Sequence, residues 1–337
     1  MWQFYMLIYY MTLIMGTLIA ITTSSWLIIW TGLEINLLAL MPLMSKFNKK
    51  YSSEATIKYF LIQAMASSLF LFSSIFISTN YMFNNIEISL MNSFMLCSAL
   101  LLKMGAAPFH FWLPEVISGS NWKVNFVILT WQKLAPMIII FQISPNTLYF
   151  SLIIILSTII SGIQGLNQTC MRKIMAYSSI NHSGWMMAAI MVSLTLWFYY
   201  YLIYTLINYS IIFILNKFHI NNISQMNKLF TMNKNIKFIF MLSFLNLGGM
   251  PPFLGFMAKW MVILNLTNNN FLLLATILII FTLLTLYFYI RITMTTFSIN
   301  SEESLTNFFT KINYLNMMIL SLLLSSLTTC TMITNNL

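Results

Sequence analysis

Lys103-Met104-Gly105-Ala106-Ala107-Pro108-Phe109-His110-Phe111-Trp112-Leu113-Pro114-Glu115 closes a long apolar run with a lysine and then interrupts it. Pro108 removes a backbone donor and its ring crowds the preceding turn, so no continuous helix is expected through this stretch. A second stretch echoes it: Gly248-Gly249-Met250-Pro251-Pro252-Phe253-Leu254-Gly255-Phe256-Met257-Ala258-Lys259-Trp260. Aligned on their prolines, Gly105 and Gly249, Pro108 and Pro252, and Phe109 and Phe253 coincide; Gly248 and Pro251 reinforce the second break. Each stretch sets a helix break beside a lysine in apolar surroundings. In membrane transporters, paired broken helices in two halves of a chain point to an ion pathway.

The composition places the chain in a bilayer. Of its 337 residues 59% are hydrophobic and 7% charged, and the mean hydropathy is +0.83. A soluble domain carries about 25% charged residues, so this chain cannot dress a water-facing surface. The net charge of +10 is spread among apolar runs rather than gathered in a stripe, which argues against a nucleic-acid partner. The 27 methionines read as flexible core filler. Cys97, Cys170 and Cys330 are far apart with no Cys-x-x-Cys spacing, so neither an iron–sulfur nor a zinc site is expected within the chain. No glycine-rich nucleotide loop follows a strand pattern. The first residues carry neither a basic n-region nor an arginine-rich presequence, so the first apolar run reads as a retained span.

Spans of about 17–25 apolar residues are expected near 3–22, 24–44, 56–78, 88–107, 123–142, 147–166, 172–193, 195–217, 236–265 (broken), 270–293 and 313–333, eleven in all. Sorting the loops by side gives a check. Lys46, Lys49, Lys50, Lys58, Lys123, Arg172, Lys173, Lys217, Lys228, Lys234, Lys237, Arg291 and Lys311 all fall on the side of the N-terminus, and the opposite side receives no lysine or arginine. A miscounted span would scatter these charges over both sides. The fold expected is therefore an all-α polytopic membrane protein in a single membrane domain. Its N-terminus lies on the basic side and its C-terminus opposite. The two broken spans, fourth and ninth, then run in opposite directions, as in an inverted repeat over 1–142 and 147–293, with 294–337 forming a C-terminal loop and last helix.

Three lysines and one glutamate remain inside spans: Lys103, Lys133, Lys259 and Glu34. One charge at the bilayer centre costs about 2.5–3.5 kcal/mol, and four unpaired ones on the order of 10 kcal/mol. These groups must face the bundle interior, pair, or meet water. A structural ion pair between Glu34 and one lysine would account for two of them and leave two lysines without an acidic partner. A proton or ion relay accounts for all four, because a desolvated lysine beside another cation exchanges its proton readily while a carboxylate neighbour holds the proton on. His110 and His182 suit a proton shuttle, with a hydrogen-bonded structural role as the alternative. Glu115 reads as interfacial and structural. Trp26, Trp30, Trp112, Trp122 and Trp260 read as interface anchors.

Several long strings, GLEIN (32–36), EATIKYFLIQA (54–64), KMGAAPFHFWLPEV (103–116), LTWQKLAP (129–136), GLNQT (165–169), RKIMAYSSINHSGWMMA (172–188), NLGGMPPFLGFMAKW (246–260) and LYFYIR (286–291), stand in an order that resembles the subunit-2 family of mitochondrial NADH:ubiquinone oxidoreductase, respiratory complex I. The resemblance runs from about residue 24 to 292 and is looser over 195–240. It implies an antiporter-like, proton-translocating core subunit of the membrane arm, in the mitochondrial inner membrane with the basic side facing the matrix. Glu34 matches the family's intramembrane glutamate, Lys103 and Lys259 the lysines of the two broken helices, and Lys133 the central connecting lysine. His110 and His182 match histidines of the polar axis. Ala258 departs from the family, which often has proline directly before the second lysine.

The resemblance further implies that this chain binds no cofactor or metal itself. FMN, iron–sulfur clusters and ubiquinone are expected on other subunits, while other membrane-arm and accessory subunits, with structural lipids, are the expected partners. Two rival readings remain from the residues alone. A stand-alone antiporter of the same fold would exchange protons for sodium or another cation, although no aspartate and no paired carboxylates offer a cation cage. A structural spacer would tolerate neutralising the buried lysines.

Overall fold

Apolar runs of this length leave each backbone N–H and C=O with no partner but the chain itself, and in lipid the helix satisfies that demand within one segment. The computed structural model describes residues 2–45, 50–80, 86–144, 146–226 and 234–297. Within them the chain is helical: α1 (Trp2–Thr22), α2 (Trp26–Met44), α3 (Lys50–Asn80), α4 (Ile86–Met104), α5 (Trp112–Gly119), α6 (Trp122–Leu129), α7 (Trp131–Ile143), α8 (Thr147–Leu166), α9 (Met171–Val192), α10 (Leu194–Lys217), α11 (Lys234–Gly248), α12 (Leu254–Asn268) and α13 (Leu272–Phe297).

Seven stretches among the described residues are long and apolar enough to cross a membrane: Tyr5–Thr22, Trp26–Met44, Lys50–Ile77, Trp122–Ile143, Thr147–Leu166, Leu194–Lys217 and Leu272–Met294. The other expected spans differ for physical reasons. The run near 88–107 stays helical only to Met104, because glycine and proline follow. The run near 172–193 is helical as α9 but rich in serine, asparagine and histidine, and every residue over 178–190 is buried. A helix wrapped in protein on all sides has no lipid face to dress. The run near 236–265 divides into α11 and α12, fifteen residues each. The run near 313–333 lies outside the described residues, as do Lys46, Lys49, Lys228 and Lys311.

The chain forms two compact units, Met1–Leu156 and Ser157–Leu337. In the first, α2 packs on α1 and α3, α3 on α4 and α5, and α7 on α1, α4 and α6. In the second, α9, α10, α11, α12 and α13 pack on one another. One end of the second unit gathers cations. Arg172 donates to Asn221 Oδ1 (2.7 Å), while Arg291 donates to the carbonyls of Leu166 and Gln168 (both 2.8 Å). Met171 N–H donates to Asn221 O (2.8 Å) and Ile223 N–H to Thr169 O (3.1 Å), so the two loops and the last turns of α13 are tied together.

The span expected near 123–142 is present as Trp122–Ile143, with an interruption at Thr130 between α6, which ends at Leu129, and α7, which starts at Trp131. Pro136 has no N–H to give the carbonyl of Gln132 and its ring crowds that carbonyl, which opens the preceding turn; Thr130 adds a bond from its own hydroxyl to Phe126 O (2.6 Å). Trp112 and Trp122 are not interface anchors but core residues, 6% and 3% exposed, whereas Trp260 keeps 38% exposure. Trp112 is drawn inward because its Nε1–H donates to the carbonyl of Leu102 (3.1 Å) at the end of α4.

Candidate functional site

The two glycine-proline stretches terminate α4 and α11 in the same way. A helix leaves its last four carbonyls without helical partners. A glycine just past the end, at positive φ, lets the chain fold back and satisfy two of them through 6→1 and 5→2 bonds. Gly105 has φ +69; Ala106 N–H donates to Leu101 O (3.1 Å) and Gly105 N–H to Leu102 O (3.2 Å). Gly249 has φ +79; Met250 N–H donates to Leu245 O (3.2 Å) and Gly249 N–H to Asn246 O (3.0 Å). An L-residue with a Cβ resists that φ, which is why both positions are glycine. The Ala107–Pro108 peptide is cis.

Each helix end carries carbonyls left over from this cap, and side chains collect them. At the first, Gln63 Nε2 donates to Lys103 O (3.1 Å). At the second, the Lys259 ammonium reaches back from α12 and donates to Gly248 O (2.7 Å). The negative end of the α11 dipole favours a cation at that place. Lys259 lies across Gly249, where a Cβ would come within 2.9 Å of its Cδ and 3.0 Å of its Nζ. Asn246 joins the two halves: its Oδ1 accepts from Gly255 N–H (2.7 Å) in the first turn of α12, and Gly255 approaches Asn246 so closely that a Cβ would collide with its carbonyl.

All three span lysines are buried, Lys103 at 6%, Lys133 at 1% and Lys259 at 6% exposure. In the first unit Lys103, on the last turn of α4, has its Nζ 5.9 Å from the Phe70 ring centroid and no hydrogen-bond partner among the described residues. Lys133 lies on α7, which packs against α4. Glu34, on α2, forms no ion pair among the described residues. The paired Glu34–lysine arrangement is therefore not formed. Among the described residues an ion pair joins Lys58 to Glu115 at 2.6 Å with both side chains about half exposed, which fits the structural reading of Glu115. His110 is buried, and its Nδ1 lies 3.2 Å from the Pro108 carbonyl, an acceptor, so that nitrogen carries the proton.

In the second unit Lys259 Nζ also stands 5.9 Å from the Trp185 ring, one turn along α9 from His182. His182 Nδ1 shares a 2.8 Å hydrogen bond with the Tyr200 hydroxyl, and the Tyr204 ring lies 5.0 Å from its own. Asn181 Nδ2 donates to Thr285 Oγ1 (3.2 Å), so α9 presents a polar seam to both α10 and α13. Among the described residues no three His, Cys, Asp or Glu side chains converge as metal ligands would.

A search for charged groups overlooks several of these residues because they are neutral. A small cavity in the first unit is lined by Leu33, Asn36, Leu37, Tyr59, Gln63, Lys103, Gln132 and Pro136. Asn36, Gln63 and Gln132, like Asn246 and the Tyr200–Tyr204–Asn208 ladder at every fourth residue of α10, are amides and hydroxyls within apolar runs. Such groups are costly in hydrocarbon unless bonded, and that was the available signal.

Residues 23–285 match the model of the family described as NADH:quinone oxidoreductase/Mrp antiporter, transmembrane, a stretch well over half the chain. The chain belongs to this family. The matched stretch contains Glu34, Lys103, Lys133 and Lys259. Relatives include the NADH-ubiquinone oxidoreductase chain 2 proteins of Anopheles gambiae, 48% identical over 88% of this chain and 87% of the relative, and of Lemur catta, 42% identical over 85% and 84%. The fold of the NADH:quinone oxidoreductase/Mrp antiporter family is shared with a chain of respiratory complex I from Thermus thermophilus, with a TM-score of 0.86 at 22% identity over 96% of this chain and 78% of that one. It is also shared with a chain of the archaeal membrane-bound sulfane sulfur reductase, TM-score 0.84 at 16% identity over 97% and 72%.

Proposed function

We infer that this chain is a core membrane-arm subunit of respiratory complex I and contributes to proton translocation across the mitochondrial inner membrane, coupled to NADH:ubiquinone electron transfer on other subunits. Family membership and the chain 2 relatives support the assembly and the membrane. The observation that carries the mechanism is the pair of buried lysines at matching glycine-capped helix ends, neither held by a carboxylate among the described residues. A lysine bonded to carbonyls or to nothing can surrender its proton without leaving a buried carboxylate behind.

In this reading α4 with α5, and α11 with α12, are the halves of two discontinuous helices, one in each arm of an inverted repeat within an eleven-span subunit. The N-terminus faces the matrix and the C-terminus the intermembrane space. Glu34, Lys103, Lys133 and Lys259 relay protons: when charge moves at one member, the field at its neighbour changes and the neighbour's proton follows. His110 and His182 are polar members of the same axis. Each charge moved works against about 2.3 kcal/mol per 100 mV of membrane potential. That energy comes from quinone reduction elsewhere, with FMN, iron–sulfur clusters and ubiquinone on other subunits and lipids filling the outer face.

The test is Lys103→Ala and Lys133→Ala in the assembled complex, with NADH oxidation and proton uptake measured together. Loss of pumping supports the relay. Unchanged pumping and unchanged quinone reduction would refute it in favour of a spacer, and cation exchange by the purified chain alone in liposomes would favour an independent antiporter.

A further inference from the structure

From residue 116 to residue 301 the sequence holds no aspartate and no glutamate. The described part of the second unit therefore has no carboxylate of its own to set against the cations at its basic end. Membrane topology does not ask for this. Orientation follows lysines and arginines and is nearly indifferent to acidic residues, so carboxylates could stand among these cations at no topological cost.

The cations are carried on a tied frame. Arg291 is fixed by the carbonyls of Leu166 and Gln168, and Arg172 by Asn221. Lys173 follows Arg172 in the first turn of α9, and Lys217 ends α10 four residues before Asn221. All four are half-buried. Bonds to neutral carbonyls and amides orient a guanidinium without neutralising it.

The helix that carries Arg291 also presents an apolar stripe. Leu283, Tyr287, Arg291 and Met294 recur at i, i+4, i+8 and i+11 and so share one face of α13. Leu283, Tyr287 and Met294 on that face are 61%, 62% and 59% exposed. Alongside, α8 meets α13 through Gly162 and Gly165, where a Cβ would come within 3.5 Å of Leu284 and 2.9 Å of Phe288. Arg291 lies in the last turn of the span Leu272–Met294, the depth at which head groups begin. An apolar stripe with an arginine at its basic end matches a molecule that has acyl chains and an anionic head. The acidic surface of a partner protein would match the cations alone.

We propose that this end of the second unit binds an anionic phospholipid, with its phosphate against Arg172, Lys173 and Arg291 and an acyl chain along the Leu283–Tyr287 face of α13. Lys217 adds to the attracting field from α10. The lipid supplies the countercharge that the sequence omits, and its binding does not depend on the proton relay.

The experiment uses the assembled complex, depleted of lipid in detergent and returned to phosphatidylcholine with or without phosphatidylglycerol. A cryo-EM map of the sample with phosphatidylglycerol should show a head group against Arg172 or Arg291 and a chain along Tyr287. Both should be missing from the sample with phosphatidylcholine alone. Other subunits also meet lipid, so variants localise the effect. One cation near a membrane surface contributes about fivefold to the affinity for anionic lipid. The phosphatidylglycerol needed for half-maximal protection against thermal inactivation should therefore rise about fivefold in Lys173→Gln and stay unchanged in Lys173→Arg, which keeps the charge. A map with no head group at the cluster overturns the proposal, as does one with an acidic side chain of another subunit in its place. Equal protection of Lys173→Gln and the unaltered complex overturns it too. If inorganic phosphate protects as well as the lipid does, the cluster is a phosphate site and the acyl-chain assignment fails.

Discussion

Replacing Gly249 by alanine tests the link between the second helix end and its lysine. The φ of +79 strains any L-residue, and that backbone term is about 1–2 kcal/mol. The new methyl would stand 2.9 Å from Lys259 Cδ, 3.0 Å from Nζ and 3.2 Å from Cε, so the lysine must leave its seat. A displacement that loses the 2.7 Å bond to Gly248 O forfeits a charged hydrogen bond of up to about 1.5–3 kcal/mol. The combined loss is up to about 2.5–5 kcal/mol. Gly105→Ala is the control. Its φ of +69 imposes the same backbone strain, and its methyl meets Trp112 and Leu113 at 3.1–3.2 Å rather than a lysine. Thermal inactivation of the assembled complex, read beside proton uptake per NADH oxidised, separates the two. Gly249→Ala should inactivate at lower temperature than Gly105→Ala and should lose pumping more than oxidation. If the two variants match in both readouts, the seating of Lys259 on the capped helix end is not what that glycine protects.

Asn246→Ala should cost about 1–2 kcal/mol through loss of the cap on Gly255 N–H, seen as lower abundance or thermal stability of the assembled complex. Trp112→Phe removes the indole donor to Leu102 O and should destabilise by about 1 kcal/mol, whereas Trp260→Phe, at a more exposed site, should be near neutral in the same assay. Glu115→Gln should leave assembly and pumping unchanged at any salt concentration, because the pair with Lys58 is open to solvent.

The helices were legible because lipid allows few alternatives: a long apolar run must satisfy its own backbone. The ends at Gly105 and Gly249 were legible for the same local reason, since only glycine turns the chain there cheaply. The interruption at Thr130 was not, because no glycine or proline stands at that point. Inward and outward faces also resisted the sequence. Trp112 and Trp260 lie in similar motifs, yet one is buried by a bond to a neighbouring carbonyl and the other remains exposed. Of the candidate site, the buried lysines announced themselves by charge. Asn36, Gln63, Gln132 and Asn246 did not, because a neutral amide in an apolar run gains meaning only when its neighbours in space are known.

The Gly248 carbonyl that receives Lys259 has a consequence for electrical behaviour. A carboxylate holding that lysine would itself be a proton acceptor, and its attraction would vanish whenever it was protonated. A helix end cannot titrate. Its potential is the same in acid and in base, so Lys259 is biased by a constant rather than by a second variable. The chain contains no aspartate and only six glutamates. By holding a cation with backbone instead of acid, it keeps the number of titratable groups beside Lys259 small.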